Sequence, residues 1–442
     1  MSLFKLHGVH VPHHKNTANM KAVNIDTPKE VLIPMNMHIG APSTPIVKVG
    51  DKVYVGQKIA EASGYISACV HSSVSGTVKK IDEMITSNGS SIPAILIESD
   101  GLMENDPNLK PVELTDHESF VNAVKESGMV GLGGAGFPTY VKFNIKDLSL
   151  VEEVVINCAE CEPYITADTR TMIDDIDLVE EGVNLLKKYL GTKKIIFGIE
   201  NNKKEAIKCL QELEAKDEVV KVAVLPAIYP QGGEKVLIFN TTKKVVPEGK
   251  LPLDVGVVII NVTTLAKIAL YIKTGMPLVS KTVTVDGSCV KNPMNLIVPI
   301  GTRMKDVFAY CGGFVQNPAK VIYGGPMMGQ AVPNIDLPIV KTTNAIVALN
   351  QTEAKLPTTT ECIKCGRCIN HCPLNLDPVA FAKYKELKDV EELIKLKVNL
   401  CMECGVCAYV CPAKRPLVQN HRLAKGMVRD YLNSQKAKEG GK

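Results

Sequence analysis

A chain of 442 residues with 45% hydrophobic content has room for about three ordinary domains, which excludes a single small fold stapled by its cysteines. A formal net charge of only +4, without a long basic run or interleaved aromatics, excludes a nucleic-acid groove. The most apolar run, 255–260, is far shorter than the roughly 18 to 20 residues of a membrane span, and no apolar signal core opens the chain, so a cytoplasmic protein able to dock on a membrane complex is expected.

Residues 1–22, with His7, His10, His13 and His14, lack periodicity and are predicted to form an extended arm. From 23 to 110, short alternating runs are broken by Gly and Pro, as in Ile46-Val47-Lys48-Val49-Gly50-Asp51 and Ser75-Gly76-Thr77-Val78, which predicts a small all-β unit. Its pieces VKVGDKVYVGQKIA and SSVSGTVKKI resemble the barrel-sandwich fold of biotinyl and lipoyl domains. The tip, Val70-His71-Ser72-Ser73-Val74, has no lysine for attachment, so a structural or docking role is expected there.

Between 111 and 280, predicted strands at 151–157, 194–199, 219–225 and 255–261 alternate with predicted helices at 177–190, 203–214 and 263–273. This is the pattern of an α/β domain with a mostly parallel sheet. Residues 281–349 (VTVDG, VPIGT, VIYGGPMMG) return to β character and suggest a small mixed β domain. The remainder, 350–442, opens on a polar linker and carries cysteine runs, helical patterns and a basic tail. That tail sets Lys414, Arg415, Arg422, Lys425, Arg429, Lys436, Lys438 and Lys442 against Asp430 and Glu439. It reads as a solvated terminus or as a docking surface for an acidic redox partner.

Eight of the 14 cysteines fall in two runs of C-x2-C-x2-C-x3-C-P, beginning at Cys362 and Cys401. Three thiolates at three-residue steps let one loop wrap three corners of a cubane, and the proline turns the chain away. In two-cluster ferredoxins the fourth cysteine serves the other cluster. That rule assigns one [4Fe–4S] cluster to Cys362, Cys365, Cys368 and Cys411, and the second to Cys401, Cys404, Cys407 and Cys372. Structural zinc usually takes two separated C-x2-C pairs instead. The other six cysteines show no such spacing and are expected to be mostly buried small hydrophobes.

Gly131-Leu132-Gly133-Gly134-Ala135-Gly136 matches G-x-G-x-x-G, but a predicted helix at 117–127 precedes it where a dinucleotide fingerprint needs a strand. What remains is a glycine-dense loop whose N–H groups can approach a phosphate, with Lys142 close behind. Three polar segments follow apolar strands: one with Asn157, Glu160 and Glu162, one with Tyr229, Gly232, Gly233 and Glu234, and one with Asn261 and Thr264. Ligands of open α/β sheets sit beyond the carboxyl ends of the strands, so these loops are candidates to line one crevice.

In this order and spacing, GLGGAGFPTYVKF, INCAECEP, YPQGGEK and IINVTTL resemble the flavin- and NADH-binding loops of the NADH-dehydrogenase subunit of respiratory complex I. With the two-cluster module and the barrel-sandwich unit added, the whole chain resembles the RnfC family, peripheral subunits of the membrane-bound Rnf ferredoxin:NAD oxidoreductase. The resemblance implies a multidomain α+β architecture: barrel-sandwich, complex-I-flavoprotein-like α/β domain, β-grasp (SLBB) domain and two-cluster ferredoxin-like helical domain. It implies non-covalent FMN against Gly131, Gly133, Gly134, Gly136, Lys142, Asn157, Gly232, Gly233, Asn261 and Thr264. Phe137, Glu162 and Glu234 are implied to lie toward NADH, and Glu160 and Tyr229 complete the candidate set. Two positions depart: complex I has an arginine where Leu132 stands and an aspartate where Ala159 stands. The implied partners are other subunits of a membrane redox complex and ferredoxin-type carriers, on the cytoplasmic face. Two rivals share these modules, a cobalamin reductase-type flavoprotein, whose flavin domain begins nearer the N-terminus, and an iron–sulfur electron wire that binds no flavin.

Overall fold

A computed structural model of the chain describes residues 7–440; residues 1–6 of the predicted arm, Lys442 and the side chain of Glu439 lie outside the described residues. The N-terminal unit is two packed antiparallel sheets. One orders Glu30–Pro34, Ser91–Ser99, Gly76–Ile85 and Lys52–Val53, and the other Thr44–Pro45, Lys58–Glu61 and Val70–His71. Alternation along Glu30–Pro34 turns Val31 and Ile33 into a shared core with Val53, Ile59, Val78, Ile95 and Ile97. The tip at 70–74 is buried, Ser73 Oγ donates to the Ile300 carbonyl, and Lys341 Nζ donates to the carbonyls of Cys69 (2.6 Å) and Gly128 (2.7 Å). A tip clamped on two other domains is a fixed docking element.

The central sheet has four parallel strands in the order Val220–Leu225, Ile195–Glu200, Glu153–Cys158, Val257–Asn261. Val154, Ile156, Val258 and Ile260 face the helices Ile176–Leu190 and Val262–Thr274, whereas Val155, Val257 and Ile259 face the helix Glu234–Thr242. Burial on both faces is why these strands read as unbroken apolar runs. Chain order runs outward from Glu153–Cys158 in one direction and then returns to its other side with Val257–Asn261. The switch point therefore lies between these two strands, and the loops after Cys158 and Asn261 flank it.

The third unit is a six-stranded mixed sheet around Ser280–Asp286, Met294–Pro299, Lys320–Tyr323 and Ala345–Leu349, with the helix Met304–Tyr310 packed on a core of Val283, Val285, Leu296, Val307, Phe308 and Ile346. Val23–Asn24, expected at the start of the barrel-sandwich, instead pairs in parallel with Leu296–Ile297 in this sheet. A two-residue strand carries no periodicity by which sequence alone could place it.

The described part of the arm is extended through about residue 15, then turns at 16–20, and it straps the molecule. Val9 exchanges two backbone hydrogen bonds of 2.9 Å with Tyr229, His14 stacks on Tyr164, and Lys15 Nζ donates to the carbonyls of Glu160 and Glu162 at 2.8 Å.

Short helices and two cysteine loops form the C-terminal unit. Asp377 caps Pro378–Glu386 and Asp389 caps Val390–Lys395, each carboxylate accepting first-turn N–H groups near 3.0 Å. The basic tail is largely one helix, Leu417–Gly440, in contrast to a solvated terminus. Its Leu417, Ala424 and Val428 are buried, the last two in a core with Phe381 and Leu393, while Arg422 and Lys425 pair with Glu403 at 2.8 and 2.6 Å. Its apolar stripe is sparse among lysines and arginines, which hid the packed face.

Candidate functional site: a glycine nest, a crevice and two cysteine cavities

The glycine loop is closed by Gly131 N–H donating to the Phe137 carbonyl (2.8 Å) and Gly136 N–H to the Gly131 carbonyl (3.1 Å). Gly134 and Gly136 have φ of +108° and +66°, which only glycine adopts without strain. Leu132 is fully buried as the anchor: its N–H donates to Thr264 Oγ1 (2.9 Å) and its carbonyl accepts from Lys281 Nζ (3.1 Å). Gly133, Gly134 and Ala135 are exposed, and among the described residues their N–H groups have no protein acceptor. Three consecutive free donors at the switch point make a nest for an anion, and the residues present fit the phosphate of FMN.

Asn261 and Thr264 shape this loop from beneath. Asn261 Oδ1 caps the helix Val262–Thr274 by accepting from Thr264 N–H (3.1 Å), and its Nδ2 donates to Asp168 (2.7 Å). Both ends of the amide are therefore committed inside the protein. Lys142 Nζ donates to Glu234 (3.1 Å) and to the Ile259 carbonyl (3.1 Å), so its charge is shared with that carboxylate. Phe137 lies half-buried at the end of the loop.

Across the switch point, Asn157 Nδ2 donates to the Gly232 carbonyl (3.0 Å) while its Oδ1 accepts from Ala159 N–H (3.1 Å), tying two predicted loops together. A side chain at Gly232 would stand 2.4 Å from the Ala159 carbonyl oxygen. Glu160 turns away from the crevice and caps the helix Ala167–Asp174, accepting from Asp168 N–H (2.7 Å) and Thr169 Oγ1 (2.8 Å). Glu162 accepts from the N–H groups of Met327 (3.1 Å) and Met328 (2.7 Å), and burial pushes its carboxyl pKa up. The Tyr229 hydroxyl donates to the Cys404 carbonyl (2.7 Å), and a Cβ on Gly233 would stand 2.3 Å from Met402 Cε. The loop pair thus lines the crevice on one side and touches a cysteine loop on the other.

Two small cavities lie in the C-terminal unit. Cys372, Cys401, Cys404 and Cys407 line one, and Cys362, Cys365, Cys368 and Cys411 line the other. These are the two crossed sets expected from the spacing. The halves share a backbone pattern as well: Lys364 and Glu403, Gly366 and Gly405, and Asn375 and Lys414 all have positive φ. No group of three or more His, Cys, Asp or Glu among the described residues converges on a single ion. Four thiols around each of two cavities, drawn from two C-x2-C-x2-C-x3-C-P runs, suit two four-iron cubanes, whereas structural zinc usually takes separated C-x2-C pairs. The first cavity is the inner one, against Tyr229; at the second, Cys365 and Ile363 are exposed.

Sequence reasoning missed Lys281, Asp168, Thr263 and Lys15, all of which hold candidate loops from behind. The one available signal was a lysine at the head of the apolar strand VTVDG.

Four families match in chain order. Residues 4–102 match the RnfC barrel sandwich hybrid domain, 124–270 the Nuo51 FMN-binding domain, 282–331 the SLBB domain and 361–414 the 4Fe-4S dicluster domain. The chain is 43% identical, over 95% of both chains, to a subunit of the Na(+)-translocating ferredoxin:NAD(+) oxidoreductase complex of Acetobacterium woodii. It is 40% identical to the corresponding subunit of the proton-translocating ferredoxin:NAD(+) oxidoreductase complex of Clostridium ljungdahlii, over 98% of this chain and 95% of that one. A chain of an NAD+-reducing [NiFe]-hydrogenase in the air-oxidized state superposes with a TM-score of 0.50 at 18% identity, covering 69% of this chain and 63% of that chain, a likeness of fold. Order of domains, crossed cysteine sets and identity over nearly the full length agree, and the chain belongs to the RnfC family of ion-translocating oxidoreductase subunits.

Proposed function

We propose that this chain is the nicotinamide-reacting, peripheral electron-transfer subunit of an ion-translocating ferredoxin:NAD+ oxidoreductase, seated on the cytoplasmic face of the membrane. In this reading it exchanges electrons with other subunits of the complex and, through them, with a ferredoxin-type carrier. The observation that carries the reading is the direct joint between the wall of the crevice opposite the nest and the inner cysteine loop, made by the Tyr229 hydroxyl on the Cys404 carbonyl. No helix among the described residues is long and apolar enough to cross a membrane, so attachment would run through other subunits.

The free N–H groups of Gly133, Gly134 and Ala135 would hold the FMN phosphate, with Lys142 beside them, and Asn157 and Gly232 would form the opposite wall. Flavin handles both hydride exchange with a nicotinamide and single-electron exchange with iron–sulfur clusters. Cys161, Met327, Met402 and Val406 pack between crevice and inner cavity as an apolar cluster. Cys372, Cys401, Cys404 and Cys407 would hold the inner cluster and Cys362, Cys365, Cys368 and Cys411 the outer one. The exposed loop at Ile363 and Cys365 would face the electron-transfer partner. Hydride exchange asks no side chain to give or take a proton, so the protein's share is positioning and exclusion of water.

Anaerobic reconstitution of the full chain tests this. About eight iron and eight sulfide per chain are expected, together with bound FMN that NADH bleaches. Cys372→Ala is expected to damage the inner cluster while sparing the outer one. Mainly zinc, or a flavin-free chain that NADH leaves unchanged, would sink the proposal.

A further inference from the structure

Lys281 heads the strand Ser280–Asp286 of the β-grasp sheet and is 1% exposed, one of the largest fully buried side chains in the molecule. No carboxylate among the described residues stands within ion-pair distance of its ammonium. Its direct partner is the carbonyl of Leu132 at 3.1 Å. Asp168 is its main compensating charge, and that carboxylate is occupied by Asn261 Nδ2 (2.7 Å) and Thr263 Oγ1 (2.6 Å). Burial lowers the Lys281 pKa to about 8, with Asp168 acting in the opposite direction. A buried ammonium without a direct ion pair is costly and is seldom found without a task.

The geometry of the peptide unit supplies that task. Carbonyl and N–H of a trans peptide point in opposite directions. By holding the Leu132 carbonyl from below, Lys281 turns the Gly133 N–H outward, to the exposed side where it has no protein acceptor. Thr264 Oγ1 holds the preceding N–H of Leu132, so the peptides on both sides of Leu132 are pinned from behind. A cation on the carbonyl also polarises the peptide and strengthens its N–H as a donor. Leu132 brings no charge to the loop, and Lys142 is shared with Glu234.

We propose that Lys281 is a positioning residue for the flavin phosphate, acting through the Leu132–Gly133 peptide: it orients the Gly133 donor and supplies from the β-grasp domain the positive charge that the glycine loop lacks. This rests on the reading of the loop as the FMN site. The site is then complete only when the β-grasp sheet is docked against the α/β domain.

The test compares FMN with riboflavin, which lacks the phosphate, by quenching of flavin fluorescence on the anaerobic full-length chain. In Lys281→Met, FMN affinity is expected to fall on the order of ten- to a hundredfold, the weight of a charge-assisted hydrogen bond, while riboflavin affinity holds. The FMN-over-riboflavin preference should collapse, with the iron–sulfur absorption unchanged as the sign of an intact fold. A merely structural lysine would weaken both ligands alike. Lys281→Gln, whose amide still donates to the carbonyl without charge, gives a second route if the methionine variant does not fold, with a smaller fall of the same sign. A wild-type preference for FMN in either folded variant overturns the proposal. If the unsubstituted chain shows no preference for FMN over riboflavin, it is the reading of the loop itself that fails.

Discussion

Glu160 and Glu162 lie two residues apart on one loop, yet their carboxylates serve opposite ends of the site. Glu160 caps the helix behind the crevice, and Glu162 takes two N–H groups from the 324–329 loop of the β-grasp domain. Position in sequence marked both as polar and near a strand end, and nothing in their spacing could tell which donors each would find. Burial raises the Glu162 carboxyl, so the folded chain binds this proton more tightly than the unfolded chain does. Stability from this group therefore falls as pH rises through the window between the ordinary carboxylate pKa and the raised one. Glu162→Gln should flatten that slope in thermal melts. It should also slow reduction by NADH with FMN still bound, because one of the two donors loses its partner and the loop over that side loosens. An unchanged NADH rate would leave Glu162 as a clasp between domains and nothing more.

At the scale of elements, the helix Leu417–Gly440 changes what its charges are for. Arg422 and Lys425 meet Glu403 in the inner cysteine loop, and Lys425 also donates to the Cys401 carbonyl (3.0 Å). Burial of Ala424 and Val428 against the core of Phe381 and Leu393 fixes which face packs. Ending the chain after Leu432, which is itself well exposed, should leave both clusters intact. Reversing Arg422 and Lys425 together sets three acidic groups against one another and is expected to weaken the inner loop by roughly 1–3 kcal/mol, since these pairs are only partly exposed. The measurement is the rate at which a chelator bleaches each cluster: the inner should go faster and the outer hold. Slowed transfer to a partner with both clusters equally durable would restore the docking role to this helix.

The whole molecule is held by contacts between units that sequence periodicity cannot see. The parallel strands were legible because burial on both faces leaves unbroken apolar runs, and the cysteine sets because their spacing is itself the geometry of a cubane. The placing of the arm, of the two-residue strand Val23–Asn24 and of Lys281 was not, because each depends on a few hydrogen bonds to residues more than a hundred positions away. Tyr229 gathers several of these contacts. It pairs through its backbone with Val9 of the arm, packs with Cys161, Met327 and Met402, and gives its hydroxyl to the inner cysteine loop. Tyr229→Phe keeps the packing and removes the hydroxyl's bond to the Cys404 carbonyl, worth about 1–2 kcal/mol when its acceptor is left behind, along with a long 3.5 Å contact to Glu162. The nest is untouched, so bleaching of the flavin by NADH should run at the unsubstituted rate. The cysteine loop beside it is freer, so bleaching of the iron–sulfur absorption should lag in the same stopped-flow trace. Equal slowing of both would place Tyr229 in the nicotinamide site, as its loop's resemblance implied, while no change in either would mean that packing alone holds the joint.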